Sequence, residues 1–471
     1  MACRDDDYRF LPIVDAISAI NQNVNLVGVV LETSIPRQFK GTDCFCTVKI
    51  IDESYSSPGL LVNCFGENME KLPSVHSAGD IILFSRVMIK SHCGDVNAVF
   101  NKKISSFAIF EGKHGTQFLP YQASANFHPR DEDNKFLDCL RKWLLNRNPD
   151  ESISLFGLNE YLPLEDIRVG EHLTLICKVL HICKVQENKW MAFVWDGTDA
   201  PRANMRAKKE NEIENLPPLQ LEPTPLPRDV LLKFPTIGTI LRVVMEDDNQ
   251  GLQLLNCDRW VKLVNVKCEK YAGLWRCMLM PSSKLQYLSD TEKLISESQR
   301  NYEKRLTLKR RREPFSVHLP PPSSMMTETS YTEMPFVTLM DVITHPKVTG
   351  KFKCAVRVIA IRPFQSEDFC SPQGIYRITL TLEDATARIH AFLFAEDSEY
   401  FFDGYPSDRT LKRTRNALLG VMIPSGRSNE EQQCAQRNPP WVQLCLKSYY
   451  TDKNDKWGTR KYRIFATKVV D

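Results

Sequence analysis

The stretch Val24-Asn25-Leu26-Val27-Gly28-Val29-Val30, followed by Phe45-Cys46-Thr47-Val48-Lys49-Ile50-Ile51-Asp52, decides the fold. A small residue punctuates an apolar strand, and a second strand ends in an acidic turn. The pair returns as Leu173-Thr174-Leu175-Ile176-Cys177-Lys178-Val179-Leu180 with Trp190-Met191-Ala192-Phe193-Val194-Trp195-Asp196-Gly197-Thr198. It returns again as Phe352-Lys353-Cys354-Ala355-Val356-Arg357-Val358-Ile359 with Tyr376-Arg377-Ile378-Thr379-Leu380-Thr381-Leu382-Glu383-Asp384. Apolar runs of this length bounded by turn residues read as β-strands. At 471 residues the chain has room for about three domains, so three copies predict three small barrels in series.

Working outward from the first copy, strand signals recur at 24–32, 45–52, 60–65, 80–90 and 104–111. A short helical turn over residues 66–73, ended by Pro73, separates the third from the fourth. Five strands with a helix between the third and fourth is the order of an OB-fold. The expected class is mainly β: three tandem OB-folds, five-stranded Greek-key barrels, with connecting helices and a flexible linker. The first OB-fold spans 8–112 and a helical connector 113–154, in which Phe136, Leu137, Leu140, Trp143 and Leu144 fall at helical spacing. The second spans 155–288, with a Pro-rich insertion at 201–228 read as a solvated loop. A linker follows over 289–335, charged and helix-prone in its first half and flexible in its second, and the third OB-fold covers 336–471.

A net charge of +3 is too small to indicate nucleic-acid binding by itself, so that case rests on local residues. The opening Met1-Ala2-Cys3-Arg4-Asp5-Asp6-Asp7 lacks the apolar run of a secretory leader, and no stretch approaches the length of a membrane span. The 15 cysteines are scattered through strand-like runs, which reads as buried reduced thiols in an intracellular protein. No Cys-x-x-Cys occurs, and Cys44-x-Cys46 places two thiols on one strand face, so no metal site is expected. The nine histidines show no His-x-x-x-His spacing, and the nucleotide-loop, nucleophile-elbow and Lys-x-Asp-Gly ligase patterns are missing. The expectation is a binding protein with no catalytic residues and no cofactor.

Three groups of residues bear on binding. Phe65 ends the third strand of the first barrel, where a ring is either core or a platform for a base. Arg37, Lys40, Thr42 and Asp43 occupy the loop between strands one and two, which in OB-folds helps line the oligonucleotide groove. Arg and Lys neutralise phosphates there, and Thr and Asp hydrogen-bond base edges. Arg86, Lys90 and His92 alternate along strand four and so share one face. Trp195-Asp196-Gly197-Thr198 reads as a structural turn. Lys309, Arg310, Arg311 and Arg312 read either as a nuclear localisation signal or as a solvated helix end.

These residues resemble the protection-of-telomeres family. Lys40-Gly41-Thr42-Asp43, Ile51-Asp52, Phe65, Leu72-Pro73 and Gly79-Asp80-Ile81 resemble its first OB-fold. Val194-Trp195-Asp196-Gly197-Thr198 resembles its second, and Leu382-Glu383-Asp384 with Trp441–Tyr449 its C-terminal OB-fold. Asp15-Ala16-Ile17-Ser18-Ala19-Ile20-Asn21-Gln22 and the compact length look like plant members. The resemblance implies that barrels one and two bind single-stranded telomeric DNA and that the third serves protein partners, telomerase or other telomere proteins. It carries DNA contact onto Lys40, Thr42, Asp43, Phe65 and Arg86, and onto Lys90 and His92. The chain departs from animal members in offering Glu32, Ser34 and Arg37 where they have aromatics. Only the short segment from Pro363 to Gly374 stands where they carry a zinc-bearing insertion.

The leading expectation is a protein of the nucleus and the telomeric region that binds the G-rich overhang and regulates telomerase access. The alternative is a telomerase-associated accessory protein acting through protein or RNA contacts. A generic single-strand binder of replication type is a third reading. Neither a membrane nor a small-molecule substrate is expected.

Overall fold

The computed structural model describes residues 9–470 except 35, 39–42, 78, 93, 113–114, 147–160, 171, 187–188, 203–204, 207–215, 247–254, 289–292, 311–324 and 422–435. The first five-strand set is Asn23–Ser34, Cys44–Ile51, Leu60–Gly66, Ile81–His92 and Asp95–Phe100. Strand one pairs antiparallel with strands two and four, two with three, three runs parallel to five, and five returns to four. That circuit closes a barrel in OB order. Residues alternate in and out, so Cys44, Cys46, Val48 and Ile50 of strand two enter the core while Phe45, Thr47 and Lys49 face outward. Gly28 is the small residue that punctuates strand one. A Cβ there would lie 3.0 Å from the Ile51 carbonyl and 3.1 Å from Ile50 Cβ, so the close approach of strands one and two needs glycine.

The 104–111 signal is not the fifth barrel strand. That strand is Asp95–Phe100, which alternates Val96, Ala98 and Phe100 inward after the turn at Gly94, while Ser106–Phe110 is an extra strand laid outside the circuit on Ile81–Ser85.

The third set is Gly350–Arg362, Arg377–Glu383, Arg388–Phe394, Trp441–Tyr450 and Arg460–Phe465, and it forms a closed barrel with the same strand order. In the second set, His172–Gln186 pairs with Lys189–Trp195 and Trp260–Tyr271. Lys189–Trp195 pairs with Leu241–Glu246, which runs parallel to Leu274–Leu288, and that long strand returns to Trp260–Tyr271.

The acidic turn of the repeat has one job in all three copies. Asp52 accepts the N–H of Ile13 at 2.8 Å, Asp196 that of Leu164 at 2.7 Å and Asp384 that of Leu339 at 2.6 Å. Each donor is the first residue of the short helical turn leading into its barrel. The other carboxylate oxygen takes the hydroxyl two residues on: Ser54 at 2.7 Å, Thr198 at 2.8 Å, Thr386 at 2.7 Å. A buried carboxylate thus satisfies orphan helix donors beneath each barrel. The structural reading of Trp195-Asp196-Gly197-Thr198 holds, and the Trp195 indole donates to the Ile237 carbonyl.

Barrels one and two share one sheet, since Thr33 and Ser34 pair with Leu285 and Lys284. Helix Asp133–Asn146 lays Leu137, Leu140 and Leu144 on the first barrel's outer apolar layer. The charged run at 293–310 is a helix docked on the second barrel, with Ile295 fully buried and Tyr302 edge-on to Trp195 at 4.8 Å. The described part of the Pro-rich insertion is docked rather than solvated: Leu221 and Leu226 join an apolar cluster, and buried Glu222 pairs with Arg242. The thiols are not all reduced and buried. Cys268 and Cys277 face one another across a hairpin as a disulfide, and Cys139 and Cys257 are exposed.

Candidate nucleic-acid interface

Strand parity assembles the site on the outward face of the first barrel's strands two, three, five and four. Phe65 is half-buried, not core, because Leu60, Val62 and Cys64 take the inward positions. Directly across the ladder stands Phe45, with ring centroids 5.0 Å apart and planes tilted by 43°. Sequence reasoning missed Phe45, although the signal was present: if Cys44 and Cys46 share the inner face, the residue between them faces out.

Arg86 lies in the same row as the two rings. Strand five ends at Phe100, paired beside Cys64, and the next residue is Asn101. The Ser105 hydroxyl accepts the Asn101 N–H at 3.0 Å and donates to the Arg86 carbonyl at 2.7 Å. Phe65 and Arg86 are thus two strand spacings apart, about 10 Å. Arg86 stands at a bulge opposite Asn25, at φ 55°, with its N–H held by the Asn25 side chain at 2.9 Å. The distortion turns its exposed side chain outward between buried Ser85 and Val87.

The other predicted residues divide. Lys90 and His92 are exposed on the face of Arg86, as alternation requires; Lys90 donates to Asn21 at 3.0 Å and pairs across the ladder with Asn97. His92 sits opposite Asp95 at the strand end. Asp43 is bound to Lys102 at 2.7 Å, a partner the sequence did not signal because 59 residues separate them. Burial, then the Asp43 charge, push the adjacent Cys44 thiol up. Arg37 belongs to a two-residue strand whose backbone pairs with Phe45 and Cys44, extending the ring row by one position. Lys40 and Thr42 lie outside the described residues, as do Arg311 and Arg312. Lys309 is half-buried and bonded to Thr236 and Asp341, so it ties the docked helix to the third barrel.

The outward face thus presents two adjacent rings flanked by Arg86, Lys90, Lys102 and Lys49. Glu32 draws one edge toward the second barrel, 3.7 Å from Lys49 and 2.8 Å from Lys284. Such a surface stacks planar rings and holds phosphates. Among the described residues it shows no nucleophile–base arrangement and no cluster that suits a metal ion.

Comparison with known proteins agrees with this chemistry. Residues 4–151 match the family profile described as "Telomeric single stranded DNA binding POT1/CDC13", and residues 322–455 match "POT1A-like, OB fold domain". The chain is 41% identical over its whole length to Protection of telomeres protein 1a of Arabidopsis thaliana, all of which is covered. It is 39% identical over 99% of its length to Protection of telomeres protein 1b of the same plant, covering 98% of that protein. The human Protection of telomeres protein 1 is 29% identical over 39% of this chain and 27% of its own length.

Proposed function

This chain belongs to the protection-of-telomeres family, and on that premise we propose that it binds the single-stranded G-rich overhang of telomeres, protecting the 3′ end and regulating telomerase access. The observation that carries the reading is the row of Phe45, Phe65 and Arg86 across the open face of the first barrel. Bases stack on the two rings, each worth about 1–3 kcal/mol. Arg86, Lys90, Arg37 of the short strand beside Phe45 and, from the loop that follows it, Lys40 take phosphates, and His92 lines the far edge. Thr42 and Asp43 read base edges, with Lys102 fixing the Asp43 carboxylate.

The same reading takes all three five-strand circuits as OB-folds in tandem, places the protein in the nucleus, and gives the third barrel to telomerase or other telomere proteins. The basic run at Arg310, Arg311 and Arg312 serves nuclear import under this proposal, with Lys309 held back as a strut.

A gel-shift titration of the full chain against a plant-type telomeric repeat and a scrambled strand of equal length tests the function. Preferential binding of the repeat, with a log–log salt slope of about −0.7 per neutralised phosphate, is the expected result. Equal affinity for both strands would reduce the protein to a general single-strand binder.

A further inference from the structure

The third barrel carries its own basic and aromatic track, on the same four strands that build the interface of the first together with the start of strand one. Along strand three, Ile389, Ala391 and Leu393 enter the core, so His390, Phe392 and Phe394 face out. In the ladder Phe392 sits between Thr379 of strand two and Arg463 of strand five, and Arg463 pairs with Lys447 of strand four. Lys461 lies over the Phe392 ring at 5.9 Å and Arg463 over the Phe394 ring at 5.4 Å. Phe392, Phe394, Lys447 and Arg463 border an open groove of about 840 Å³ with exposed Lys351, and Lys461 stands beyond Phe392. Asp397 answers two of these cations, Lys447 and Arg463, leaving the face net basic.

The groove does not end at Phe392. That ring also lines a cavity of about 900 Å³ between the third barrel and the second. The cavity wall holds Arg357, only 2% exposed, together with Arg460 and Trp441. Arg357 Nε, Arg460 Nε and Trp441 Nε1 are buried and find no hydrogen-bond acceptor among the described residues. Arg357 and Trp441 are neighbours across the ladder, whereas Arg460 pairs at the far end of the same strand, so the unpaired Nε of Arg357 and Nε1 of Trp441 stand together where an acceptor-rich ligand would satisfy them. Burial lowers the Arg357 pKa, and the charges of Arg202 and Arg388 lower it further against the opposing effect of Glu383. Arg357 and Arg388 share the single Glu383 carboxylate at this point of the cavity.

We propose that the third barrel binds a single-stranded nucleic acid along this track, with bases on Phe392 and Phe394 and phosphates on Lys351, Lys461 and, where the track enters the cavity, Arg357. This goes beyond the overhang reading, since it adds a second strand-binding surface to the barrel otherwise given to protein docking. The strand is either further overhang DNA or an RNA, and the two share the chemistry recognised here.

The test uses the full chain carrying Phe65→Ala and Arg86→Gly, titrated with a fluorescent telomeric strand of about 10 nucleotides, near the site size of one OB barrel. DNA and RNA versions of the strand identify the source. Residual, salt-sensitive binding is expected. Adding Phe392→Ala with Phe394→Ala weakens it at least fivefold, the lower end of what loss of even one stacked base allows. Lys351→Glu with Lys461→Glu does the same, and because both lysines are exposed this variant separates lost binding from lost folding. Ultraviolet cross-linking of the unmodified protein is expected to label peptides containing Phe392 or Lys461. Residual binding unchanged within twofold by both pairs, or displacement of the cross-link by polyglutamate but not by oligonucleotide, overturns the proposal. Comparison of Phe65→Ala alone with the unmodified protein tests the first barrel separately, so the two readings fail independently.

Discussion

Arg86 shows how one residue is bent to a task. A non-glycine residue at positive φ costs roughly 1–2 kcal/mol. Its backbone is held there by Asn25 and Ser105, and the conformation delivers a cation into the row of Phe45 and Phe65. Strain kept at a functional surface separates stability from binding. Arg86→Gly relieves the strain at the cost of added chain entropy, so it is expected to leave stability unchanged or raise it by up to about 1 kcal/mol. The same change weakens oligonucleotide binding and makes the salt slope shallower by about 0.7, one phosphate contact. Thermal melts alongside salt-dependent titrations check both halves; a variant that melts lower yet binds equally well refutes the assignment. Phe45→Ala makes the companion case: if the two rings form one platform, it costs about 1–3 kcal/mol of binding, as Phe65→Ala does. A loss confined to Phe65→Ala would leave Phe45 as mere packing for its neighbour.

Among elements, the buried aspartate at the end of strand two governs each barrel, and in the third it makes stability depend on pH. Burial pushes the Asp384 carboxyl up to about 6, against the hydrogen bonds from Leu339, Thr386 and Ala387 that lower it. The unfolded value is about 3.9. Between about pH 4 and 6 the folded chain therefore holds a proton that the unfolded chain has released. The stabilisation from that proton is complete below about pH 4 and is lost as pH rises through 6. Asp384→Asn shrinks this slope. It also sets an amide donor against either the Leu339 N–H or the Thr386 and Ala387 N–H groups, costing about 1–3 kcal/mol near neutrality. Urea unfolding of both proteins at pH 4.5 and 6.5 reads the difference, and parallel pH dependences contradict the shifted carboxyl. The strand pairs and their acidic turns were legible because periodicity and turn chemistry are local. The capping role of Asp52, Asp196 and Asp384 was not, since each donor lies 32 to 45 residues upstream. The fifth strand of the first barrel was overlooked because polar Asp95 and Asn97 dilute its alternation, while Ser106–Phe110, with its apolar run from Phe107 on, advertised itself more strongly.

At the scale of the whole molecule, the barrels are joined by unlike seams. Between the first and the second run two residue pairs, a hydrogen bond from Arg259 to the His76 carbonyl and the partly exposed ion pair of Lys284 and Glu32, the last a type of contact worth about 0–1 kcal/mol. The second meets the third through one buried and one half-buried arginine. Arg388, 4% exposed, donates to the carbonyls of Pro218, Ala272 and Gly273 while also bonding Glu383. Arg228 caps the Ile343, Thr344 and His345 carbonyls and lies 3.6 Å above the Trp457 ring. None of this was readable in the sequence, because each arginine serves carbonyls more than 100 residues away and carbonyls carry no sequence signature. The third-barrel track was hidden for the same reason: Lys351, Phe392, Lys447 and Arg463 become neighbours only when the strand circuit closes. Removing one buried charge from such a seam leaves acceptors unpaired and the partner carboxylate less compensated, a loss of about 3–5 kcal/mol. Arg388→Met keeps the stem and deletes the donors, so the third barrel is expected to unfold separately from the second. Differential scanning calorimetry then resolves an additional transition in the variant, with the remaining barrels melting as in the unmodified protein. A trace identical to that of the unmodified protein would mean that apolar packing, through Met340 and the cluster around Trp260, couples the two barrels without Arg388.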